Sequence, residues 1–219
     1  MLTAYLQQTS RILHDPANVN YSVSDLTAYI NIARGQIASQ SQCVQQLDTV
    51  SLTNAQETYS LPTVGVAAGT GQAIAVLNIS VPWGTYTPTL DRYPFSEFQA
   101  YFRLFSGTVS GFPECWAQLA DAALGTVYFF PIPTQTFASL WQCAHTVLPL
   151  ALDTDPEAIP YPFTDCVPYF AAYLALMNAQ RYQEAKAQMG IFTMFMQAAR
   201  GGVNPLFMGT QYPTIAGGP

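Results

Sequence analysis

The hydrophobic period of this chain changes twice, and that order limits the fold more than any single motif does. Apolar residues recur at helical spacing near both ends and at every second position between them, so helices flank a β region. At the start, Leu2, Leu6, Thr9 and Leu13, with Tyr5 and Ile12 beside them, mark a short amphipathic helix that His14-Asp15-Pro16 ends. A second helix begins near Ser22 or Ser24, where Ser22 and Asp25 stand at capping-box spacing with aspartate in place of the usual glutamate. Leu26, Tyr29, Ile30, Ala33 and Ile37 line one of its faces, and the pair predicts a helical hairpin.

From Gln46 the period is two. Leu47, Thr49, Ser51 and Thr53 alternate with Asp48, Val50 and Leu52, and Asn54-Ala55 then turns the chain into Glu57-Thr58-Tyr59-Ser60-Leu61-Pro62, which predicts a β-hairpin. Further β-type runs at 73–81, 126–131 and 140–148 are separated by glycine and proline. A short helix is predicted at 96–104, with Glu97 near its start and Arg103 near its end, the orientation the helix dipole favours. This stretch reads as a small β-sandwich or barrel.

Helical spacing returns after Pro162. Val167, Phe170, Leu174 and Met177 form one stripe, widened by Tyr169, Tyr173 and Leu176, with Pro168 tolerable only in the first turn. Another helix starts at Tyr182, carries Ala185, Met189, Phe192, Met196 and Ala199 on one face, and is predicted to stop at Gly201-Gly202. Neither helical half is stable alone, so the expected fold is α+β. Residues 1–44 and 162–202 make one discontinuous four-helix domain, 45–161 an inserted β domain with its linker, and 203–219 an extended tail. In that tail Pro205, Pro213 and Pro219 block regular structure, while Leu206, Phe207, Met208, Tyr212 and Ile215 are spaced as anchors for docking on another protein.

Charge narrows the function. Only 9% of the residues are charged, against roughly a quarter in an average soluble domain, so much of the surface is uncharged and suited to subunit contact. Net charge is −6, Lys186 is the sole lysine, and the arginines are scattered, so no basic stripe can hold a nucleic acid by sequence. No run of about 20 apolar residues occurs, which predicts no membrane helix. Residues 1–13 do not look like a secretion signal, which predicts a protein that stays where it is made.

A search for chemistry gives little. The two histidines, His14 and His145, show no cysteine or serine arranged with them as a nucleophile pair. Cys43, Cys115, Cys143 and Cys166 are widely spaced, indicate neither zinc nor a redox pair, and read as buried thiols. Gly107-Thr108-Val109-Ser110-Gly111 has the wrong spacing for a nucleophile elbow, and Gly69-Thr70-Gly71 is a turn before a strand rather than a phosphate loop. Asp153 and Asp155 lack the glycine and closing glutamate of a calcium loop. Tyr161, Phe163, Tyr169, Phe170 and Tyr173 could stack bases, but their helical spacing makes them core or interface first. The expectation is a protein without catalytic residues, metal or cofactor.

Several segments resemble, in order, the head-to-tail adaptor family of short-tailed bacteriophages, which includes the tail tubular protein A group and related portal adaptors. Arg11-Ile12-Leu13-His14-Asp15-Pro16, followed by Ser24-Asp25-Leu26-Thr27-Ala28-Tyr29-Ile30-Asn31-Ile32-Ala33-Arg34, is similar to the family's opening. Residues 49–62 resemble its hairpin signature. Phe129-Phe130-Pro131-Ile132-Pro133, the acidic linker to Ile159-Pro160, and Pro162-Phe163 leading to Tyr169-Phe170-Ala171-Ala172-Tyr173-Leu174-Ala175-Leu176 resemble its closing half.

The resemblance implies a structural virion protein in the neck, assembled in the host cytoplasm. It implies a homo-oligomeric ring, a dodecamer, between the portal protein and the tail or nozzle protein. Genomic DNA would pass through the ring as cargo without sequence recognition during ejection, and no membrane would be involved. The competing expectation is a carbohydrate-binding β-sandwich module of a phage tail component, presenting Trp83, Tyr86, Trp116 or Trp141 to a sugar ring.

Overall fold

A computed structural model of the chain describes residues 1–62, 69–103, 109–119 and 125–203. The fold is α+β, and its internal contacts divide it into two units: Met1–Ile37 with the segment from Pro160 on, and Ala38–Ile159.

The first unit is helical. Helix α1 (Leu2–Ile12) buries Leu2, Tyr5, Thr9 and Ser10. After it His14 and Asn18 take left-handed backbone angles, and the Asp15 carboxylate gathers the loop by accepting the backbone N–H groups of Val19, Asn20 and Tyr21 at 2.9, 2.8 and 3.0 Å. Burial alone would raise the Asp15 pKa; the three N–H donors outweigh it and hold the carboxyl below its ordinary value. A depressed carboxylate contributes stability above its unfolded pKa and loses it as pH falls through the folded one. Asp15→Asn, which sets an amide N–H₂ among backbone donors, is therefore expected to lower Tm at neutral pH. The gap to wild type should close as acid protonates Asp15 below the ordinary carboxylate range. Parallel thermal melts across pH check this, and a gap that stays constant down to the lowest pH contradicts it.

Helix α2 (Val23–Ser41) starts as the sequence requires. The Ser22 hydroxyl accepts the Asp25 N–H at 3.1 Å and donates to the Asp25 carboxylate at 2.7 Å, a variant of the capping box. Leu26, Ile30, Ala33 and Ile37 are fully buried along the expected face. Arg34 is fully buried too, its Nη1 donating to Asn31 Oδ1 at 3.3 Å one turn back, which accounts for the Asn31 and Arg34 of the opening motif.

A 3₁₀ turn (Phe163–Cys166) leads into α4 (Val167–Asn178), with Pro168 in the first turn where no N–H is needed. Here the expected stripe is corrected. Besides Val167, the buried side chains are Pro168, Ala171, Ala172, Ala175 and Leu176, whereas Phe170 and Leu174 are half-buried and Met177 is exposed. The helix is apolar nearly all round, so periodicity does not choose a face, and the flat alanine side admits the neighbouring helices most closely. Helix α5 (Tyr182–Val203) buries Ala185, Phe192, Met196 and Ala199 and leaves Met189 exposed. It runs on through Gly201 and Gly202, so these glycines do not stop it.

Leu13, Leu26, Ala172, Ala175, Leu176 and Ala185 form one buried cluster, with Leu6, Ile12, Tyr21, Tyr29 and Tyr173 packed against it. Residues from α1, α2, α4 and α5 thus share a core. Aromatic contacts add to it: Tyr169 stacks on Phe195 at 5.1 Å, and Phe170 meets Phe192 at 4.8 Å.

The second unit holds the strands β1 (Gln45–Leu52), β2 (Thr58–Ser60), β3 (Thr70–Ser80), β4 (Asp91–Arg92), β5 (Ser110–Gly111), β6 (Cys115–Leu119), β7 (Thr126–Phe130), β8 (Ile132–Pro133) and β9 (Phe137–Val147). One sheet has the order β1-β9-β3 and is antiparallel; another has the order β2-β7-β6-β4, with β4 parallel to β6; β5 and β8 pair by themselves. The predicted β-hairpin does not form. β1 pairs with β9 and β2 with β7, so the Asn54-Ala55 turn passes from one sheet to the other instead of joining neighbours. Tyr59 secures that crossing: its hydroxyl accepts the Thr53 N–H at 2.7 Å, and Ala55, at φ +61°, donates its N–H to Pro133 O at 2.8 Å.

The two larger sheets face each other across a core that contains Leu52, Val76, Ile79, Trp141 and Cys143 from one and Tyr59, Trp116, Val127 and Phe129 from the other. On its far side the β2-β7-β6-β4 sheet buries Cys115, Ala117 and Tyr128 against Phe98 of the short helix α3 (Phe95–Phe98). Burial on both faces fits the nearly continuous apolar run of β7, Thr126–Phe130. After α3 the chain continues as a π-helical turn (Gln99–Arg103) instead of the predicted regular helix, and Leu104 lies outside the described residues. Arg103 lies 3.3 Å from the Glu57 carboxylate and 4.9 Å above the Tyr128 ring.

Candidate interaction surfaces

The described residues hold no nucleophile, base and orienting group in reach of solvent. His14 is exposed on a turn. His145 is enclosed, and Cys143 and Asp48 lie beside it. Burial, and after it the Asp48 charge, push the Cys143 thiol up to about 12, so it is no nucleophile. Among the described residues no disulfide joins the cysteines; Cys115, Cys143 and Cys166 are buried and Cys43 half-buried. The Asp155 carboxylate is spent on the N–H groups of Ala151 and Leu152, at 2.6 and 2.7 Å, so it closes a loop instead of facing a cation. Gly69, at φ +71°, turns the chain so closely past Pro156 that a Cβ would lie 2.4 Å from that residue's carbonyl oxygen; packing explains this glycine without a phosphate.

Of the aromatics considered for stacking, Tyr161 alone is exposed; Phe163 is buried, and Tyr169, Phe170 and Tyr173 are half-buried among helices. Of those considered for sugar, Trp116 and Trp141 are fully buried core residues. Trp83 and Tyr86 remain at the surface, on a tight turn about Gly84 in which each backbone N–H donates to the other's carbonyl. Trp83 lies 4.7 Å from Phe112 and 5.9 Å from Phe137, so part of its ring is already covered.

The molecule instead offers uncharged surface. In the second unit, residues 82–89 are all exposed and carry no charge, with Tyr86 at 76%. Leu47 on β1 is 72% exposed. In the first unit, α5 buries about one residue per turn and leaves Tyr182, Met189 and Met194 outward. The anchors expected in the tail, Leu206, Phe207, Met208, Tyr212 and Ile215, lie outside the described residues.

The uncharged stretch at residues 82–89 and the low overall charge suit a protein that works by contact with other proteins. The family model of the SU10 adaptor protein matches residues 2–211, and the chain belongs to that family of bacteriophage structural adaptors. No curated protein matches it.

Proposed function

We propose that this adaptor forms a ring, a dodecamer, in the neck of the virion, between the portal protein and the tail or nozzle protein, and lines the channel through which DNA passes. Its task is mechanical and non-catalytic. The observation that carries the reading is membership of the adaptor family over residues 2–211. Exposed apolar side chains such as Leu47, Tyr86 and Met194 support it, because a closed ring gives each subunit two heterologous interfaces that remove such surface from water. A net charge of −6 suits a channel wall, since carboxylates repel passing phosphate.

In this reading residues 1–44 and 162–202 form one four-helix domain, and residues 45–161 are a β-sandwich inserted between its halves. The cluster that joins Leu13 and Leu26 to Ala172, Leu176 and Ala185 supports it. Residues 203–219 dock on the portal or on a neighbouring subunit through Leu206, Phe207, Met208, Tyr212 and Ile215. Assembly takes place in the host cytoplasm and depends on a template, because neck parts must not close before the head is filled; individually weak interfaces then act together on the portal. The purified protein is expected to sediment as a monomer or in a concentration-dependent way, and to close into a ring on addition of portal. A stable ring in dilute solution without portal contradicts template dependence.

A further inference from the structure

Asp48 of β1 and Cys143 and His145 of β9 bring a carboxylate, a thiol and an imidazole to one enclosed point of the β unit. Cys143 and His145 are 0% exposed and Asp48 8%. One ligating atom of each lies within 4.8 Å of the others. We propose that these three side chains form a binding site for one divalent transition-metal ion of the zinc class.

The argument starts at the imidazole. His145 Nδ1 stands 2.9 Å from the Gly71 carbonyl oxygen, which can only accept, so Nδ1 carries a hydrogen. Nε2 then faces the Asp48 carboxylate at 2.8 Å. Two lone pairs do not meet at that distance unless a positive centre lies between them, and a proton or a metal ion can fill that place. A proton there joins His145 to Asp48 and leaves the Cys143 thiol as a hydrogen-bond partner of the same carboxylate. A zinc-class ion uses all three: imidazole, thiolate and carboxylate are its ordinary donors, whereas calcium and magnesium take oxygen.

The surroundings fit. The Gly71 carbonyl on Nδ1–H is the partner that commonly fixes the tautomer and ring of a metal-bound histidine. Charge closes as well, since one carboxylate and one thiolate neutralise a doubly charged ion in a site shut off from water. Gln46 pairs directly with Cys143 in the β1–β9 register, and its amide N–H donates to the buried Thr70 hydroxyl at 2.9 Å. Tetrahedral zinc needs the Nε2 and Oδ2 atoms about 3.3 Å apart, so the pair opens by roughly half an ångström.

Binding displaces the Cys143 proton, because a zinc-class ion takes sulfur as the thiolate. The inference is independent of where the adaptor sits in the virion.

The test uses the full chain, stripped with chelator and titrated with zinc chloride by calorimetry in two buffers of different ionisation enthalpy, and with cobalt(II) by absorption. One zinc per chain, proton release on binding and a thiolate-to-cobalt band in the near ultraviolet are expected. Cys143→Ala should lose the band and weaken zinc about a hundredfold or more, since even outer partners of such sites matter 10–100-fold. Asp48→Asn can donate an amide N–H to Nε2 in place of the carboxylate and should also weaken zinc, which guards against a variant that fails to fold. No zinc bound by wild type at millimolar metal overturns the proposal. So does unchanged affinity in both variants, which would place the metal elsewhere.

Discussion

Leu176→Asp is expected to unfold the helices at both ends of the chain together. Leu176 is 2% exposed and shares its cluster with Leu13, Leu26, Ala172, Ala175 and Ala185. A carboxylate there has no partner to offset its desolvation, at a cost of several kcal/mol, against a whole-domain stability of about 5–15 kcal/mol. A single shared core must then fail as one, so amide protection should vanish in α2 and in α5 alike. Leu174→Asp is the control: that position is half-buried, so its carboxylate can turn toward water and the loss should be markedly smaller. Hydrogen exchange read by mass spectrometry checks both. Protection retained in α2 while α4 and α5 open would show that the halves are separate.

Removing residues 204–219 is expected to leave Tm nearly unchanged and to abolish attachment to the portal. The buried residues that hold α5 in place, Ala185, Phe192, Met196 and Ala199, all precede the cut, so the helical core keeps its contacts. On the proposed reading, what is lost is the five apolar anchors of a proline-punctuated segment, which would fill pockets and pair with a sheet edge at the cost of becoming ordered. Several such anchors engaged at once on a ring multiply their effect, so the loss should appear as absence of binding and not as a small shift. Cosedimentation with portal particles reads it. Undiminished binding by the shortened chain contradicts tail docking, and a chain that melts at lower temperature points to a segment packed on its own subunit.

How much of this was legible in the sequence depended on how far apart the interacting residues lie. The Ser22 cap and the Leu26, Ile30, Ala33, Ile37 stripe are local and could be read directly. The α4 face could not, because Phe170 and Leu174 weigh more in a hydrophobic pattern than the alanines that let helices approach. Alternation located β1 and β2 but not their partners: β9 lies nearly ninety residues from β1, and the turn at Ala55 looks the same whether it joins neighbours or crosses between sheets. Asp48, Cys143 and His145 were invisible for the same reason, since spacing rules for metal ligands see only residues close in the chain and pairing of β1 with β9 assembles this group. The adaptor family was legible because it rests on an ordered series of short motifs along nearly the whole chain.

The central claim is that the adaptor works as a ring on the portal. The most direct measurement is electron microscopy of the full-length protein mixed with its purified portal, with particles averaged along the portal axis. A closed ring of twelve subunits around an open central channel, seated on one end of the portal, is the predicted result. Adaptor bound singly at scattered positions, or none bound to the portal at all, would contradict the account.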